Sequence, residues 1–350
     1  MRTLHILMIV PGFPKDEEDS TCIPALQLYI KYLSLAAPYD VTIVSLSYPP
    51  FADPYQWNGL TIFPLHSGLI WPLSKIASWN RLRKLISVIS KNKSIDLIHS
   101  FWLNDAALMG LLMSRKLKIP HLTTVMGQDV RSQNLYRYIL PISIMRLVGL
   151  SSCQMKHLDA YKSTQYVLVP WGIDSHDRVV VSRSIDLIGV GSLTANKDYP
   201  TFVRLVHKLK DSYPDINAVI IGDGPHFGKL IEMIQQLDLE SNIKVMGALP
   251  RSTVLDLMKR ARILVHTSLF EGYGYIFSEA LSCGCYIVSR PVGLACDVDM
   301  HKWKKARGEV EMLMELKLLL SEELDHTPVI INTMQETVAE YLKIYEALLH

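Results

Sequence analysis

Short apolar runs alternate with segments of helical spacing along nearly the whole chain of 350 residues. Several of these runs, LHILMIV among them, are continuously apolar, which is typical of strands buried on both faces of a sheet. Consecutive parallel strands need a crossover connection, and helices usually supply it. The alternation therefore predicts an α/β fold in which parallel sheets carry helices on both faces.

The predicted strands form two successive groups. The first contains LHILMIV, DVTIVSL, DLIHS, HLTTV, LVGLSS and QYVLV, and the second contains SIDLIGVG, INAVIIGDG, NIKVMG, RILVHTS and CYIVSR. Between them, Pro170 and Gly172 interrupt the pattern and a polar stretch follows. We therefore expect an N-terminal domain at residues 1–169 and a C-terminal domain at 170–330, followed by an amphipathic helix within 331–350.

Composition excludes several classes of protein. Apolar residues make up 49% and charged residues 20%, which is typical of a globular chain, and a net charge of +2 does not predict a nucleic-acid partner. The five cysteines are scattered, which favours a reducing compartment over a disulfide framework. The first apolar run is too short for a signal peptide, and no run reaches the roughly twenty residues of a spanning helix. We expect a cytoplasmic protein.

Candidate ligand-binding residues follow the strands, because ligands bind beyond the carboxyl ends of parallel strands. Gly191 ends the strand SIDLIGV and permits a sharp turn, and Lys197 precedes a helix that is predicted to begin near Tyr199. A lysine beside a helix N-terminus forms a phosphate site, because the ammonium and the free backbone N–H groups both attract anions. The alternative is that Lys197 is a solvated loop lysine.

A second candidate is the segment LFEGYGYIFSEALSCG, in which a strand gives way to a helix predicted at about 275–282. Gly272 and Gly274 allow backbone N–H groups to face an anion. The carboxylates of Glu271 and Glu279 can accept hydrogen bonds from the vicinal hydroxyls of a ribose or a hexose. The combination predicts a sugar-nucleotide site, and the alternative makes Glu271 a helix-cap acid and Glu279 a surface acid.

Two other motifs resemble a dinucleotide site and a metal site but lack residues that such sites need. GDGPHFG begins like a dinucleotide fingerprint, but Phe227 stands where the third glycine is needed. Cys283 and Cys285 have no Cys or His partner at the spacing of a zinc site, so no metal is predicted.

Together these motifs resemble those of the family 4 glycosyltransferases, retaining enzymes of the GT-B fold. The family signature E-G-[FY]-G-x-x-x-x-E-A-x-[AS]-x-G is matched by Glu271, Gly272, Tyr273, Gly274, Glu279, Ala280, Ser282 and Gly284. VPWGID, GDGP, VMGALP, DLIHSFW and IPHLTTVMGQDV resemble further motifs of that family. The resemblance implies two Rossmann-like domains whose parallel sheets face each other across a cleft, with the tail helix packing back on the N-terminal domain.

The resemblance also implies roles for individual residues. Lys197 would bind the phosphates of the donor, Glu271 the hydroxyls of the transferred sugar, and Glu279 the ribose. The other donor-binding positions would be Gly191, Ser192, Gly247, Gly272, Tyr273 and Gly274. In the N-terminal half, Asp129 would join the catalytic residues, and His99, Met126 and Gly127 would lie on the acceptor side.

The expected function is retaining transfer of a sugar from a nucleoside-diphosphate sugar to a hydroxyl of a saccharide or lipid-linked acceptor. It would serve the synthesis of cell-surface polysaccharide or glycolipid and would need no cofactor or metal. The chain departs from the family at several points: Ser192 replaces an arginine of the phosphate loop, Met126 replaces a histidine, and the usual N-terminal glycine pair and the segment G-x-P-E after Gly293 are missing. The alternatives are therefore a catalytically degenerate protein that binds nucleotide sugars and a sugar-nucleotide epimerase of the same fold.

Residues 71–93 carry two tryptophans and six basic side chains without an acid. A helical stripe in this segment consists of Leu82, Leu85, Ile86 and Ile89. We expect the stripe to pack on the N-terminal sheet. In the alternative, which does not exclude the first, the helix lies on an anionic membrane, at the inner face of the cell membrane.

Overall fold

The structure is a computed structural model that describes residues 3–36, 39–51, 53–65, 73–159, 163–174 and 181–349. The chain divides into two compact units. Unit 1 comprises Met1–Gly172 and Asn332–His350, and unit 2 comprises Ile173–Ile331.

Each unit contains one sheet. The strands of unit 1 are β1 His5–Gly12, β2 Asp40–Tyr48, β3 Tyr55–Trp57, β4 Leu60–Pro64, β5 Leu97–Phe101, β6 His121–Thr124, β7 Arg146–Gly149 and β8 Tyr166–Leu168. Those of unit 2 are β9 Ile185–Val190, β10 Ala218–Ile221, β11 Ile243–Val245, β12 Ala261–His266, β13 Tyr286–Ser289 and β14 Trp303–Lys305. Apart from the antiparallel pair of β3 and β4, the paired strands are parallel, which confirms the predicted α/β class.

Helices follow most of these strands. They are α1 Pro24–Ala36, α2 Leu73–Asn92, α3 Asp105–Leu117, α4 Tyr136–Ile139, α5 Ser152–Asp159, α6 Tyr199–Lys210, α7 Phe227–Gln236, α8 Arg251–Lys259, α9 Tyr275–Ser282, α10 Glu309–Ser321 and α11 Met334–Leu349. None of the helices in the described ranges is both long enough and apolar enough to cross a membrane.

The core of unit 1 surrounds β1, whose residues 6–10 are fully buried. The sheet order is β3-β4-β2-β1-β5-β6-β7-β8, so β1 lies near its centre. Helix α2 buries Leu82 and Ile86 against this core, with Leu85 and Ile89 packed beside them. The predicted packing of the stripe is therefore confirmed, whereas Trp71 lies outside the described residues.

Helix α11 is joined to unit 1 by a buried network of hydroxyl groups. The Tyr345 hydroxyl lies 2.7 Å from the Tyr29 hydroxyl and 2.7 Å from Nδ1 of His99. The other ring nitrogen of His99 lies 2.8 Å from Oγ1 of Thr124, which lies 2.9 Å from the Tyr341 hydroxyl. Because these buried groups are hydrogen-bonded, α11 completes the interior of unit 1 without leaving them unsatisfied.

The sheet of unit 2 has the order β11-β10-β9-β12-β13-β14. Strands β9 and β12 are neighbours although two strands separate them in the chain. The carboxyl ends of parallel neighbours meet at one edge, so the loops that follow β9 and β12 lie side by side. These are the loops that carry Lys197 and Glu271.

Candidate functional site

Two loops of unit 2 are hydrogen-bonded to each other beyond the carboxyl ends of β9 and β12. The Thr267 hydroxyl donates to the Lys197 carbonyl at 2.7 Å, and the Leu269 backbone N–H donates to the Asn196 carbonyl at 2.8 Å. The Asn196 side-chain amide donates to the Phe270 carbonyl at 2.9 Å. These bonds fix the position of Lys197 relative to the start of the Glu271 loop.

The Glu271 carboxylate lies at the centre of this arrangement. Its Oε1 atom is 2.6 Å from Nζ of Lys197 and 2.9 Å from Nε2 of His266. The side chain is 14% exposed. Both of these donors contact Oε1, so Oε2 accepts from neither of them. One oxygen thus holds the carboxylate in place.

The protonation states follow from the same contacts. Burial by itself would raise the pKa of Glu271, but the hydrogen bond from His266 and the charge of Lys197 outweigh it and lower this pKa to about 2. Burial lowers the pKa of His266. At neutral pH a neutral imidazole therefore donates its Nε2–H to an ionised carboxylate.

The backbones of the loops after β9 and β10 approach each other closely. Gly222, directly after β10, has φ +148°, and a Cβ atom built there would lie 1.9 Å from the Gly191 carbonyl oxygen. The Gly191 N–H donates to the Ile221 carbonyl at 2.9 Å, which holds the loop after β9 against β10. Only glycine fits at position 222, because any side chain would displace the Gly191 backbone.

The helix predicted at 275–282 is α9, and the structure confirms these bounds. Its N-cap is Gly274 at φ +80° with no side-chain cap bond, so Glu271 is not the cap residue. Glu279 lies on the second turn and is mostly buried, and its Oε1 accepts from Nε of Arg251 at 2.8 Å. These contacts exclude the helix-cap and surface-acid alternatives.

The other donor-side candidates lie around the same loops. Ser192 is exposed, whereas Gly272 and Tyr273 are buried. The Tyr273 carbonyl accepts from Leu294 N at 2.7 Å, and the Gly247 carbonyl accepts from Gly222 N at 2.8 Å. The structure thus places these predicted residues on the loops that follow β9, β11 and β12, and Glu279 on α9.

The candidates in unit 1 have structural contacts. His99 is fully buried within the hydroxyl network of α11. The Asp129 carboxylate, also buried, accepts backbone N–H groups from Leu103, Met126 and Gly127. Asp129 therefore organises its own loop, and His99 is an interior residue of unit 1. His99 lies in the middle of β5 and Asp129 in the loop after β6, so neither is the last residue of its strand.

Two residues of the site were not predicted from the sequence. His266 is the last residue of β12, so the rule on strand ends could have identified it. Arg251 begins α8 and reaches Glu279 from a distant part of the chain, which no local signal indicates. Within the described residues, no three His, Cys, Asp or Glu side chains gather to form a metal site.

Two protein families match this chain. Residues 176–304 match the family described as glycosyl transferases group 1, and residues 26–146 match the family described as glycosyl transferase 4-like. The first match contains every donor-side candidate of unit 2.

Curated relatives cover different shares of the chain. The gpi3 subunit of phosphatidylinositol N-acetylglucosaminyltransferase from Schizosaccharomyces pombe is 30% identical over 300 residues, which are 78% of this chain and 63% of that protein. The corresponding subunit from Saccharomyces cerevisiae strain YJM789 is 32% identical over 120 residues, 34% of this chain and 26% of its own length. The chain therefore spans less than two thirds of the length of either relative.

Solved structures share the fold at low sequence identity. A glycosyltransferase from Rickettsia africae superposes with a TM-score of 0.74 at 15% identity, covering 100% of this chain and 99% of that one. A sucrose-phosphate synthase from Thermosynechococcus elongatus gives 0.73 at 14% identity, covering 99% and 96%. HepE from Anabaena, in complex with UDP and glucose, gives 0.68 at 15% identity, covering 99% and 95%.

Proposed function

The chain belongs to the family 4-like glycosyltransferases of the GT-B fold, and from this premise we propose that it transfers a sugar from a nucleoside-diphosphate donor to an acceptor hydroxyl with retention of configuration. The observation that carries the proposal is the contact of Lys197 and His266 with one oxygen of Glu271. It brings a cation and a fixed carboxylate together beyond the strand ends.

Each part of the donor has a counterpart in unit 2. Lys197 and the start of α9 attract the diphosphate, since both attract anions. Oε2 of Glu271 accepts a hydroxyl of the transferred sugar. Glu279, held by Arg251, accepts the ribose hydroxyls. Gly247 has φ +69° and no atom within 4 Å of a built Cβ, which leaves room for a flat base.

The chemistry follows from where charge develops. As the bond between the anomeric carbon and the phosphate oxygen breaks, negative charge grows on the departing diphosphate. Lys197 and the backbone N–H groups near Gly272 and Gly274 stabilise this charge, and their fixed positions require no reorganisation during the step. The acceptor oxygen bonds to the anomeric carbon, and its proton passes to the departing phosphate oxygen. No step in this scheme requires a metal ion.

We propose a saccharide or a lipid-linked molecule as the acceptor, in the synthesis of cell-surface polysaccharide or glycolipid at the inner face of the membrane. Support comes from the name of the Schizosaccharomyces pombe relative, which describes transfer of N-acetylglucosamine to phosphatidylinositol. The transferred sugar is accordingly a hexose or an N-acetylhexosamine.

The test combines donor binding with transfer. A thermal-shift screen of nucleoside-diphosphate sugars identifies the donor, because a ligand at a hundred times its dissociation constant stabilises the native state by about 2.7 kcal/mol. Radiolabelled donor and a panel of acceptors then measure transfer. We expect Glu271→Ala to lower transfer by at least about a hundredfold, because the carboxylate that orients the sugar is lost.

The matched control is Glu240→Ala, which removes an exposed carboxylate of unit 2 and is expected to leave transfer unchanged. Full transfer activity in Glu271→Ala would show that this site is not the donor site. A change in the donor sugar without an acceptor would instead identify an epimerase.

One observation favours a second candidate function. Ser192 is exposed where the family usually has an arginine, and the nearby Arg290 guanidinium is held by Asp198 at 2.7 Å. With one cation fewer at the diphosphate, the chain could bind nucleotide sugars without transferring them. Calorimetric binding of a donor without transfer to any acceptor would support this binding protein, and Ser192→Arg would then be expected to strengthen donor binding.

A further inference from the structure

Arg290 connects the loops of the candidate donor site in unit 2. It directly follows β13, the strand beside β12, so it lies at the carboxyl ends of these parallel strands. Its Nε donates to the Thr267 carbonyl at 3.0 Å, and its Nη2 donates to Oδ2 of Asp198 at 2.7 Å. Asp198 follows Lys197 in the chain, and the Thr267 hydroxyl donates to the Lys197 carbonyl at 2.7 Å. The Arg290 guanidinium is therefore anchored beside the backbone of Lys197.

The loop that begins with Arg290 also packs against the loop of Glu271. A Cβ atom built on Gly293 would lie 3.0 Å from Cβ of Glu271 and 2.3 Å from the Tyr273 carbonyl oxygen. The Leu294 N–H donates to the same carbonyl at 2.7 Å. The loops after β12 and β13 are thus in direct contact.

Three ion pairs lie on the loops and helices of the donor site. They are Lys197 with Glu271, Arg251 with Glu279, and Arg290 with Asp198. These six charges cancel, whereas a nucleoside diphosphate brings several negative charges of its own. Because a charge that leaves water needs a partner, we expect one of the cations to exchange its acid for a phosphate oxygen.

The pair of Arg290 and Asp198 opens at the lowest cost. The Asp198 side chain is 21% exposed, against 14% for Glu271 and 12% for Glu279. Oδ2 of Asp198 also accepts from the Thr201 hydroxyl at 2.8 Å, so the carboxylate keeps a hydrogen bond when the guanidinium leaves. Removing the cation from either glutamate would leave a more deeply buried carboxylate, and the cost of a lost partner rises with burial.

We propose that Arg290 binds the diphosphate of the donor, and that Asp198 holds the guanidinium until the donor arrives. In the complex, Nη2 donates to a phosphate oxygen while Nε keeps its bond to the Thr267 carbonyl. Lys197 and Arg290 then hold the diphosphate from two neighbouring loops, and Asp198 acts as a competitor of the ligand. The inference rests on the proposed function, since it names a further residue for the same donor.

The experiment is a calorimetric titration of the full chain with UDP, GDP, ADP, CDP and dTDP, without acceptor. For the nucleotide that binds most tightly, Arg290→Gln should raise the dissociation constant about tenfold or more, because a charged hydrogen bond to phosphate is lost. Asp198→Asn should lower it about threefold or more, because the guanidinium no longer has an anionic competitor. Both substitutions break the same ion pair, so a merely structural pair would not shift the dissociation constant in opposite directions.

The matched control is the pair of Arg262 and Asp186, in which Nη1 lies 3.3 Å from Oδ1 and the exposure is similar. This pair joins β12 to β9 near their amino ends, away from the donor site. Arg262→Gln and Asp186→Asn should leave the dissociation constant unchanged. Arg290→Lys, which keeps a cation, should bind more tightly than Arg290→Gln, and thermal unfolding verifies that each variant is folded.

The role of Arg290 and the transfer reaction fail in different ways. If a nucleotide binds the original chain and Arg290→Gln equally well, or if Asp198→Asn does not bind it more tightly, the role of Arg290 is overturned while the donor site stands. Opposite shifts without transfer to any acceptor would overturn the transfer reaction alone. A chain that binds none of the five nucleotides would overturn both.

Discussion

At the scale of single residues, Glu271 shows how a buried acid is kept ionised. Two donors, Lys197 and His266, contact the same carboxylate oxygen and stabilise the ionised form in the folded state. Because the pKa of Glu271 is lowered from 4.5 to about 2 on folding, the ionised carboxylate contributes stability. That contribution is fully present above pH 4.5, is lost as the pH falls toward about 2, and amounts to roughly 3 kcal/mol.

Replacing His266 tests this contribution. In His266→Phe the carboxylate loses one donor, so the pKa of Glu271 should rise toward its ordinary value. We expect the variant to be less stable at neutral pH and to lose less further stability on acidification below pH 4.5 than the original chain does. Urea unfolding across a pH series measures both effects.

His266→Asn is the conservative variant, because its amide can still donate to the carboxylate. It should retain a larger part of the acid-dependent stability than His266→Phe. Identical pH profiles for the original chain and the phenylalanine variant would show that His266 does not hold Glu271 in its ionised form.

The residue scale also shows what the sequence alone could not reveal. The glutamate pair and Lys197 are visible as motifs, since they follow predicted strands at recognisable spacings. The pairing of Arg251 with Glu279 is not visible, because it depends on how α8 and α9 approach each other in the folded unit. His99 and Asp129 also make contacts that the local sequence does not specify.

At the scale of elements, eleven of the fourteen strands in the described ranges were predictable from the sequence, including the edge strands β8 and β11. Most of them are continuously apolar runs, which have few alternatives to a doubly covered sheet. The strands that were missed are β3, β4 and β14. β3 and β14 have three residues each and lie at sheet edges, and β4 ends in proline, so none has a long apolar run.

The prediction at this scale concerns Gly222, on the loop after β10. Gly222→Ala would place a Cβ atom 1.9 Å from the Gly191 carbonyl oxygen at a φ of +148°. We expect it to lower the free energy of unfolding of unit 2 by about 2–4 kcal/mol and to weaken donor binding, because the loop after β9 must move. Thermal unfolding and donor titration measure the two effects.

Gly228→Ala is the control, since this glycine lies in α7, where a built Cβ meets nothing within 4 Å. Alanine favours a helix over glycine, so this variant should be as stable as the original chain or up to about 1 kcal/mol more stable. Equal stability of the two variants would contradict the close backbone approach at Gly222.

At the scale of the whole molecule, unit 1 is assembled from two segments that lie far apart in the chain. The hydroxyl network joins Tyr29 to Tyr345 across 316 positions. The amphipathic pattern of the last segment predicted a helix, but not that its tyrosines would share hydrogen bonds with His99. Such a network depends on the meeting of four elements, α1, β5, β6 and α11, whereas the sequence of each element indicates only its own apolar face.

Removing one hydroxyl tests the network. Tyr345→Phe leaves the Tyr29 hydroxyl and Nδ1 of His99 without the partner that each has now, and we expect it to lower the free energy of unfolding of unit 1 by roughly 2–4 kcal/mol. Tyr213→Phe is the control, because its hydroxyl makes only a long, exposed bond of 3.4 Å to the Lys317 carbonyl. Chemical unfolding of both variants provides the comparison, and equal midpoints would show that the network does not stabilise unit 1.

The division of unit 1 between two segments also orders events on the ribosome. Translation completes residues Ile173–Ile331 before the segment that contains α11 has been made. Unit 2 has all of its strands at that moment, whereas the Tyr29 hydroxyl of the nascent first unit still lacks its partner. The first segment of unit 1 consequently completes its interior only after α11 has been made, later than unit 2.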